Sequence, residues 1–475
     1  MTFPEYESYD ALGLAELVRK GDIGAHELLD AAIERILARD GTIGAIVHRM
    51  DDKARRAVDA GLPPGPFTGV PFSLKDLGIV AAGTPMTCAT PLFADFVSDH
   101  DNALVSRYRK AGLVLLAVTK TPQLGLSVTT EPKLYGPAHN PWNLDYSPGG
   151  SSGGGAASVA AGYWPMAHAT DGGGSIRIPA SFCGLFGLKP SRGRISAAPD
   201  FGEALAGMAT SHCVSWSVRD SAALLDVSAG TEPGDPYAAP PLARPLLEEV
   251  GAPPGKLRIA LLTTDFEGNT VDPECVAAAE AAAKLCESLG HQVEEGGPDL
   301  SGVSLIEAWR ILPAVNLVVT VEQRAKALGR KPAPGDLEPV NWAWYELGRR
   351  FTAADYLRTI SLMHTLARRV ARFLEDYDLI LTPTLAKPSL KLGVVDTGGD
   401  DIERHIAHLF RMIAPFNALF NQTGGAAMSV PLHRTKDGLP VGVQFAGLNG
   451  DEPKLIRLAA QLEQAQPWAG TRPVI

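Results

Sequence analysis

The sequence predicts an α/β protein, and two stretches carry that reading. A helix-like segment ending at Lys110 runs into Leu113-Val114-Leu115-Leu116-Ala117-Val118, an apolar run with the length and composition of a buried strand. Much later, 256–262 has strand character, 274–289 has helical spacing, and a further strand is expected near 291–294. Alternating helices and buried strands make a core in which helices cover a sheet.

The other elements follow in chain order. Residues 11–39 carry an apolar stripe at helical spacing, broken at Gly21, so two helices are expected to cap the body there. Proline and glycine interrupt the chain over 61–71, and the extended stretch 70–74 then delivers Lys75. Small residues over 156–161 suit a helix beginning after the glycines at 153–155, and 166–170 reads as a short strand. A helix is expected over 220–229, followed by the turn- and proline-rich stretch 232–254. The segment 301–375 is the most helical and holds Trp309, Trp342, Trp344 and Tyr345. Packing in a core or lid accounts for most such aromatics, with one or two expected at a substrate mouth. Strand 379–382, a helical region over 406–420, strands 428–430 and 441–445, and a helix from Pro453 close the chain.

Composition narrows the function classes. The chain has 475 residues, 45% of them hydrophobic and 20% charged, as in ordinary soluble globular proteins. A net charge of −10 with scattered Lys and Arg argues against a nucleic-acid surface, which needs a basic excess to neutralise phosphates. The N-terminal stretch Met1-Thr2-Phe3-Pro4-Glu5 lacks the basic and apolar regions of a signal peptide, and apolar runs such as 113–118 are too short to span a bilayer. Neither membrane nor nucleic-acid partners are expected. Five cysteines, Cys88, Cys183, Cys213, Cys275 and Cys286, include no CxxC pair, so neither a disulfide scaffold nor a zinc site is indicated and a cytoplasmic location is expected. Cys183 reads as a packing residue.

The chemistry is concentrated in two glycine runs and one lysine. Pro148-Gly149-Gly150-Ser151-Ser152-Gly153-Gly154 is followed by Asp171-Gly172-Gly173-Gly174-Ser175-Ile176-Arg177. Glycines before Ser175 leave successive N–H groups uncovered, a nest able to stabilise a developing anion. A serine hydroxyl can accept one hydrogen bond while donating another, so Ser151 can relay a proton. Lys75 would have to be neutral to act as a base; its free pKa is about 10.4, and burial among Val70, Phe72 and Leu74 lowers it. No lysine follows either run at P-loop spacing, and neither run gives a convincing dinucleotide fingerprint. Ser175 also lacks the following glycine of a G-x-S-x-G elbow, since Arg177 stands there. Read one at a time, either serine could simply be a turn residue.

Taken together these motifs resemble the amidase signature family. The resemblance rests on Ser73-Leu74-Lys75-Asp76, on the two serine-bearing glycine runs, and on Cys183-Gly184-Leu185-Phe186-Gly187-Leu188-Lys189-Pro190. Asn140-Pro141-Trp142, Leu381-Thr382-Pro383-Thr384, Asn417 and Pro440-Val441-Gly442-Val443-Gln444 extend it across about residues 10–470. It implies one amidase domain over 1–475, an α/β fold with a large mixed central sheet flanked by helices, and 301–375 as a helical substrate cap within it. It also implies a Ser–Ser–Lys triad: Ser175 as acyl nucleophile, Ser151 as bridging serine on a cis peptide, and Lys75 as base. Gly172, Gly173, Gly174 and Ser175 would supply the oxyanion hole, and Asp171 and Arg177 would organise the loop. Many relatives have threonine or isoleucine in place of Gly172. Leu124, Gly125, Leu126 and Ser127 match a segment near the acyl pocket, although core packing explains the leucines equally well.

The expected reaction is hydrolysis of a carboxylic amide through an acyl-enzyme, with no metal and no organic cofactor. A small or medium apolar acyl group is expected, in aryl amides, carbamates or aminohexanoate oligomers, with similarity to cyclic aminohexanoate-dimer hydrolases. Two alternatives are a glutamine-amidase subunit of a transfer-RNA amidotransferase and a non-catalytic scaffold or receptor of the same fold. The partner is an amide-containing small molecule or oligomer, and homo-oligomerisation is left open.

Overall fold

Among the described residues, hydrogen-bonded pairing sorts eleven strands into two sheets. The computed structural model describes residues 3–475, so Met1 and Thr2 of the N-terminal stretch lie outside the described residues. In chain order the strands are β1 (Ile46–Arg49), β2 (Pro71–Lys75), β3 (Val114–Thr119), β4 (Met166–Asp171), β5 (Phe186–Lys189), β6 (Thr210–Ser215), β7 (Arg258–Leu261), β8 (Gln292–Glu295), β9 (Leu379–Pro383), β10 (Ala427–Arg434) and β11 (Pro440–Ala446). A mixed eight-stranded sheet has the order β4-β6-β5-β10-β11-β9-β7-β8. Its pairs are antiparallel except for β9–β7 and β7–β8, which are parallel. A three-stranded sheet, β1-β3-β2, holds β2 parallel to β3 and β1 antiparallel to it.

The two sheets meet where the chemistry lies. Every residue of β2 and β3 is buried, so their backbone groups must be paired within the protein. The Lys75 N–H does this by donating to Nδ1 of His168 on β4, at 3.2 Å.

Helices cover the sheets as the apolar periodicity requires. Ala11–Lys20 and Ala25–Ile43 realise the expected N-terminal pair, the first capped by Asp10, which accepts from the Gly13 N–H. Asn102 caps Ala103–Lys110 in the same way, accepting from the Val105 N–H at 3.0 Å. Pro273–Ser288 packs across β7 to β11, Val218–Ser228 lies against β5 and β6, and Arg177–Cys183 lies against β5, β10 and β11.

One expected helix starts earlier than its glycines suggest. The helix spans Gly153–Ala160, with all eight residues buried. A Cβ at Gly154 would fall 2.4 Å from the Lys120 backbone nitrogen and 2.6 Å from the Ala45 carbonyl oxygen. The helical cost of glycine, about 1 kcal/mol per residue, is offset here by packing that a side chain would forbid.

The segment 301–375 is helical as expected, with Ile306–Ala327, Pro339–Gly348 and Ala353–Phe373. It has apolar clusters of its own, one around Trp344 and Tyr345 and one around Trp309 and Met363. Among the described residues no helix is long and apolar enough to cross a membrane.

Candidate active site

Lys75 ends β2 with its side chain fully buried among hydroxyl groups. Its Nζ lies 2.7 Å from Ser151 Oγ, 3.0 Å from Ser152 Oγ and 2.8 Å from Thr170 Oγ1. Burial lowers its pKa to about 7, against a smaller upward pull from the Asp171 carboxylate. An ammonium has three N–H donors, one for each oxygen, whereas the free amine has two and a lone pair. The free amine therefore needs one hydroxyl to turn round and donate to it. Ser152 Oγ lies 3.2 Å from the Thr170 carbonyl, to which its proton can go, and the shortest remaining contact is with Ser151. Deprotonated Lys75 is thus placed to accept the Ser151 proton.

Ser151 follows a cis Gly150–Ser151 peptide bond, as the resemblance implies. Its carbonyl accepts from Thr121 Oγ1 at 2.9 Å.

Ser175 is half-buried on the turn between β4 and the helix Arg177–Cys183. Asp171, the last residue of β4, shapes that turn. Its carboxylate accepts from the Gly174 N–H at 2.7 Å and the Ile176 N–H at 3.2 Å. The expectation that Gly174 also donates to an oxyanion is corrected here, because that N–H is already committed to Asp171. The N–H groups of Gly172, Gly173 and Ser175 have no such side-chain acceptor and are the remaining candidates.

Arg177 locks the turn from below. Its Nε and Nη2 each lie 2.9 Å from an oxygen of Asp171, and both side chains are fully buried. Nη1 donates to the Asn417 carbonyl at 3.0 Å and to Gln444 Oε1 at 2.7 Å, and Nη2 also donates to Asn421 Oδ1 at 2.6 Å. All five guanidinium donors are therefore matched. Burial alone would push the Asp171 carboxyl up, but Arg177, with help from Lys189 and Asn421, holds it well below the usual carboxylate range. The more distant motifs support the same helix, since Asn140 Nδ2 donates to the Phe182 carbonyl and Trp142 Nε1 to the Cys183 carbonyl, both at 2.8 Å.

The 124–127 segment reaches Ser151 through Gly125, whose φ is +72°. A Cβ there would meet Leu77 Cδ2 at 2.5 Å and Ser151 Oγ at 3.2 Å. Ser127 is buried and gives its hydroxyl to local bonding with Thr129. Leu124 and Leu126 pack on the apolar cluster around Trp344, so the packing role anticipated for them is present.

Thr170, His168 and Leu205 were not foreseen beside the site, and Trp309 only as one of four aromatics of which one or two were expected at a substrate mouth. Thr170 and His168 share one face of β4, as two-residue strand periodicity dictates, and both touch Lys75. Trp309 lies on Gly173: a Cβ at Gly173 would fall 2.1 Å from Trp309 Cζ2. A Cβ at Gly172 would meet Leu205 Cδ1 at 2.9 Å. Period-two reading of 166–171 could have found Thr170, whereas nothing local signals the other two. An open cavity of about 710 Å³ lies on the helical segment between Arg310, Trp342, Phe351 and Glu403, and Lys75, Ser151 and Ser175 do not line it. Among the described residues no three His, Cys, Asp or Glu side chains group as metal ligands would.

The Amidase family profile matches residues 27–456. This chain belongs to the amidase signature family. It is 40% identical over 476 residues to the 6-aminohexanoate-cyclic-dimer hydrolase of Pseudomonas sp. (strain NK87), covering 98% of this chain and 96% of that one. A solved structure of 6-aminohexanoate cyclic dimer hydrolase superposes with a TM-score of 0.94 at 39% identity, covering 98% of this chain and 99% of the other. A bacterial aryl acylamidase of the same family superposes with a TM-score of 0.87 at 26% identity, with coverage of 98% and 99%. The α/β fold and enzymatic amidase activity are thus those of an amidase signature enzyme.

Proposed function

We propose that this amidase cleaves its amides with Ser175 as nucleophile, Ser151 as proton relay and Lys75 as base. The observation that carries the reading is the 2.7 Å contact between fully buried Lys75 Nζ and Ser151 Oγ. Neutral Lys75 takes a proton from Ser151 as Ser151 takes one from Ser175, whose oxygen attacks the amide carbonyl. The N–H groups of Gly172, Gly173 and Ser175 receive the charge that develops on the carbonyl oxygen. The same relay, reversed, protonates the departing nitrogen, because an amide anion is a poor leaving group. Water then attacks the Ser175 ester with proton transfer along the same route, releasing the acid and restoring the enzyme.

The substrate is an aliphatic or aryl amide with an apolar acyl portion of small or medium length, cyclic aminohexanoate dimer among them. Supporting this are the hydrolases of that dimer and the aryl acylamidase among the relatives, and the apolar side chains of Leu205 and Trp309 beside the glycine run. Helices of the 301–375 segment cap the site, with Trp309 as the contact. Five free cysteines, four of them buried, fit a reducing compartment such as the cytoplasm.

Intact-mass measurement during turnover of a chromogenic amide tests the chemistry. An acyl adduct on Ser175, absent in Ser175→Ala, is expected. An unchanged adduct in that variant would overturn the nucleophile. Glutaminase activity that appears only with added partner subunits would select the transfer-RNA amidotransferase reading instead.

A further inference from the structure

Trp309 sits on the helix Ile306–Ala327 with only 6% of its surface exposed, and its indole Nε1 is buried without a hydrogen-bond partner. Buried indole N–H groups ordinarily find an acceptor, so this one calls for an explanation. The ring's orientation supplies it. A Cβ at Gly173 would lie 2.1 Å from Cζ2, 2.7 Å from Cε2 and 2.8 Å from Cη2. The glycine run thus faces Cζ2, flanked about equally by Cε2 and Cη2, and Nε1 stands one bond beyond Cε2 on the same side of the indole as Cζ2. Phe410 fixes the plane of the ring by stacking on it, with centroids 4.3 Å apart and planes 23° apart.

The surroundings define what the donor can meet. Met208, Leu312, Met363 and Ala418 offer apolar surface around Trp309, and half-buried Leu205 and Phe410 pack against that cluster. A chain entering here exchanges its own contacts for those of Leu205 and Phe410. The backbone N–H groups of Gly172, Gly173 and Ser175 serve the carbonyl under attack, which leaves the indole for a different acceptor.

We propose that Trp309 is a specificity-determining residue whose indole N–H bonds a second carbonyl oxygen carried on an otherwise aliphatic acyl chain. The preferred substrates are then aliphatic chains bearing more than one amide, rather than plain fatty amides. This rests on the assignment of the Ser175 turn as the acyl site.

A matched pair of anilides tests it: the 4-nitroanilides of 6-acetamidohexanoic acid and nonanoic acid have acyl chains of equal length and differ by one internal amide. Trp309→Phe keeps a ring against Phe410 and removes the donor. Its kcat/KM should fall about tenfold further on the acetamido substrate than on the nonanoyl one, equivalent to one lost hydrogen bond. An unchanged urea unfolding midpoint shows that the variant folds. Calorimetric binding of both compounds to Ser175→Ala, with and without Trp309→Phe, should give the same selective loss without needing turnover. The Trp309 assignment is therefore decided even if neither anilide is cleaved, an outcome that would count against the acyl-enzyme reading. Equal losses on both compounds, or no loss on either, would overturn the proposal.

Discussion

Lys75 and Arg177 are cations buried to the same degree on either side of one serine turn, yet their neighbours differ in kind. Arg177 has a carboxylate and three neutral oxygen acceptors, with every donor matched. Lys75 is bonded by its Nζ to three hydroxyls and to no carboxylate. A hydroxyl stabilises an ammonium by a hydrogen bond but can also give up a proton, which a carboxylate already ionised cannot. The fold therefore keeps one charge permanent and leaves the other free to come and go. Arginine suits the first position because its guanidinium stays protonated, and lysine suits the second because burial shifts its pKa readily.

The largest expected effect comes from removing the Lys75 cation. Lys75→Met should lower the single-turnover acylation rate by about a thousandfold, within the usual range for general-base catalysis, while leaving the fold intact. A stopped-flow burst with a chromogenic amide measures this, and acylation at the parent rate would remove Lys75 from the mechanism.

Substitution on the other side of the turn should act on stability first. Asp171→Asn leaves Arg177 buried with no anion, a change that costs about 3–5 kcal/mol in comparable buried pairs. Urea unfolding would report it as a lower midpoint with an unchanged slope. A cost below about 1 kcal/mol would mean that the neutral oxygens of Asn417, Asn421 and Gln444 suffice for Arg177.

These two environments were not equally legible in the sequence. Lys75, Ser151, Ser175, Asp171 and Arg177 all stand in short motifs, and the strands that carry Lys75 and Asp171, β2 and β4, begin at or just after a proline. Gln444 and Asn417 were visible as matching motifs, but their convergence on Arg177 depends on β11 and the following packing, which no local pattern encodes. Strands β5 and β6 were missed because Phe186-Gly187-Leu188-Lys189 and Thr210-Ser211-His212-Cys213-Val214-Ser215 lack the continuous apolar character of β3, and become strands by pairing in the sheet. The segment 301–375 was readable as helical and aromatic, but not the register that brings Trp309 onto Gly173. That contact joins residues far apart in sequence and depends on Gly173 having no side chain.

The contrast also predicts a pH dependence. Burial disfavours the ammonium of Lys75 and places its pKa at about 7, so below that pH the proposed base is protonated and cannot accept a proton. Acylation should therefore rise about tenfold between pH 6 and pH 8, following the neutral fraction, and then level off. Lys189 is also pulled down to about 7, chiefly by burial, but its Nζ donates to the Pro190 carbonyl and to no serine. Lys189→Met should therefore leave the inflection in place. If that variant abolished the inflection and Lys75 variants did not, the two lysines would have to exchange roles.

The smallest expected effect is that of Ser152→Ala, which separates the two adjacent serines. Ser151 and Ser152 both accept from Lys75, but Ser152 Oγ is also tied to the Thr170 backbone, 3.2 Å from its carbonyl and 3.3 Å from its N–H. Ser152 is thereby held as an acceptor for the ammonium and is a poor relay, whereas Ser151 has no comparable tie. Ser151→Ala should remove acylation almost as thoroughly as Lys75→Met. Ser152→Ala removes one acceptor that favours the charged lysine, so the pKa of Lys75 should fall and the inflection should move below pH 7. At pH 8, where Lys75 is already mostly neutral, the rate should change little; at pH 6 it should rise toward the plateau. A pH profile of single-turnover acylation decides this. An inflection that moved upward would mean that Ser152 stabilises the free amine, and the relay would then have to run through Ser152 as well.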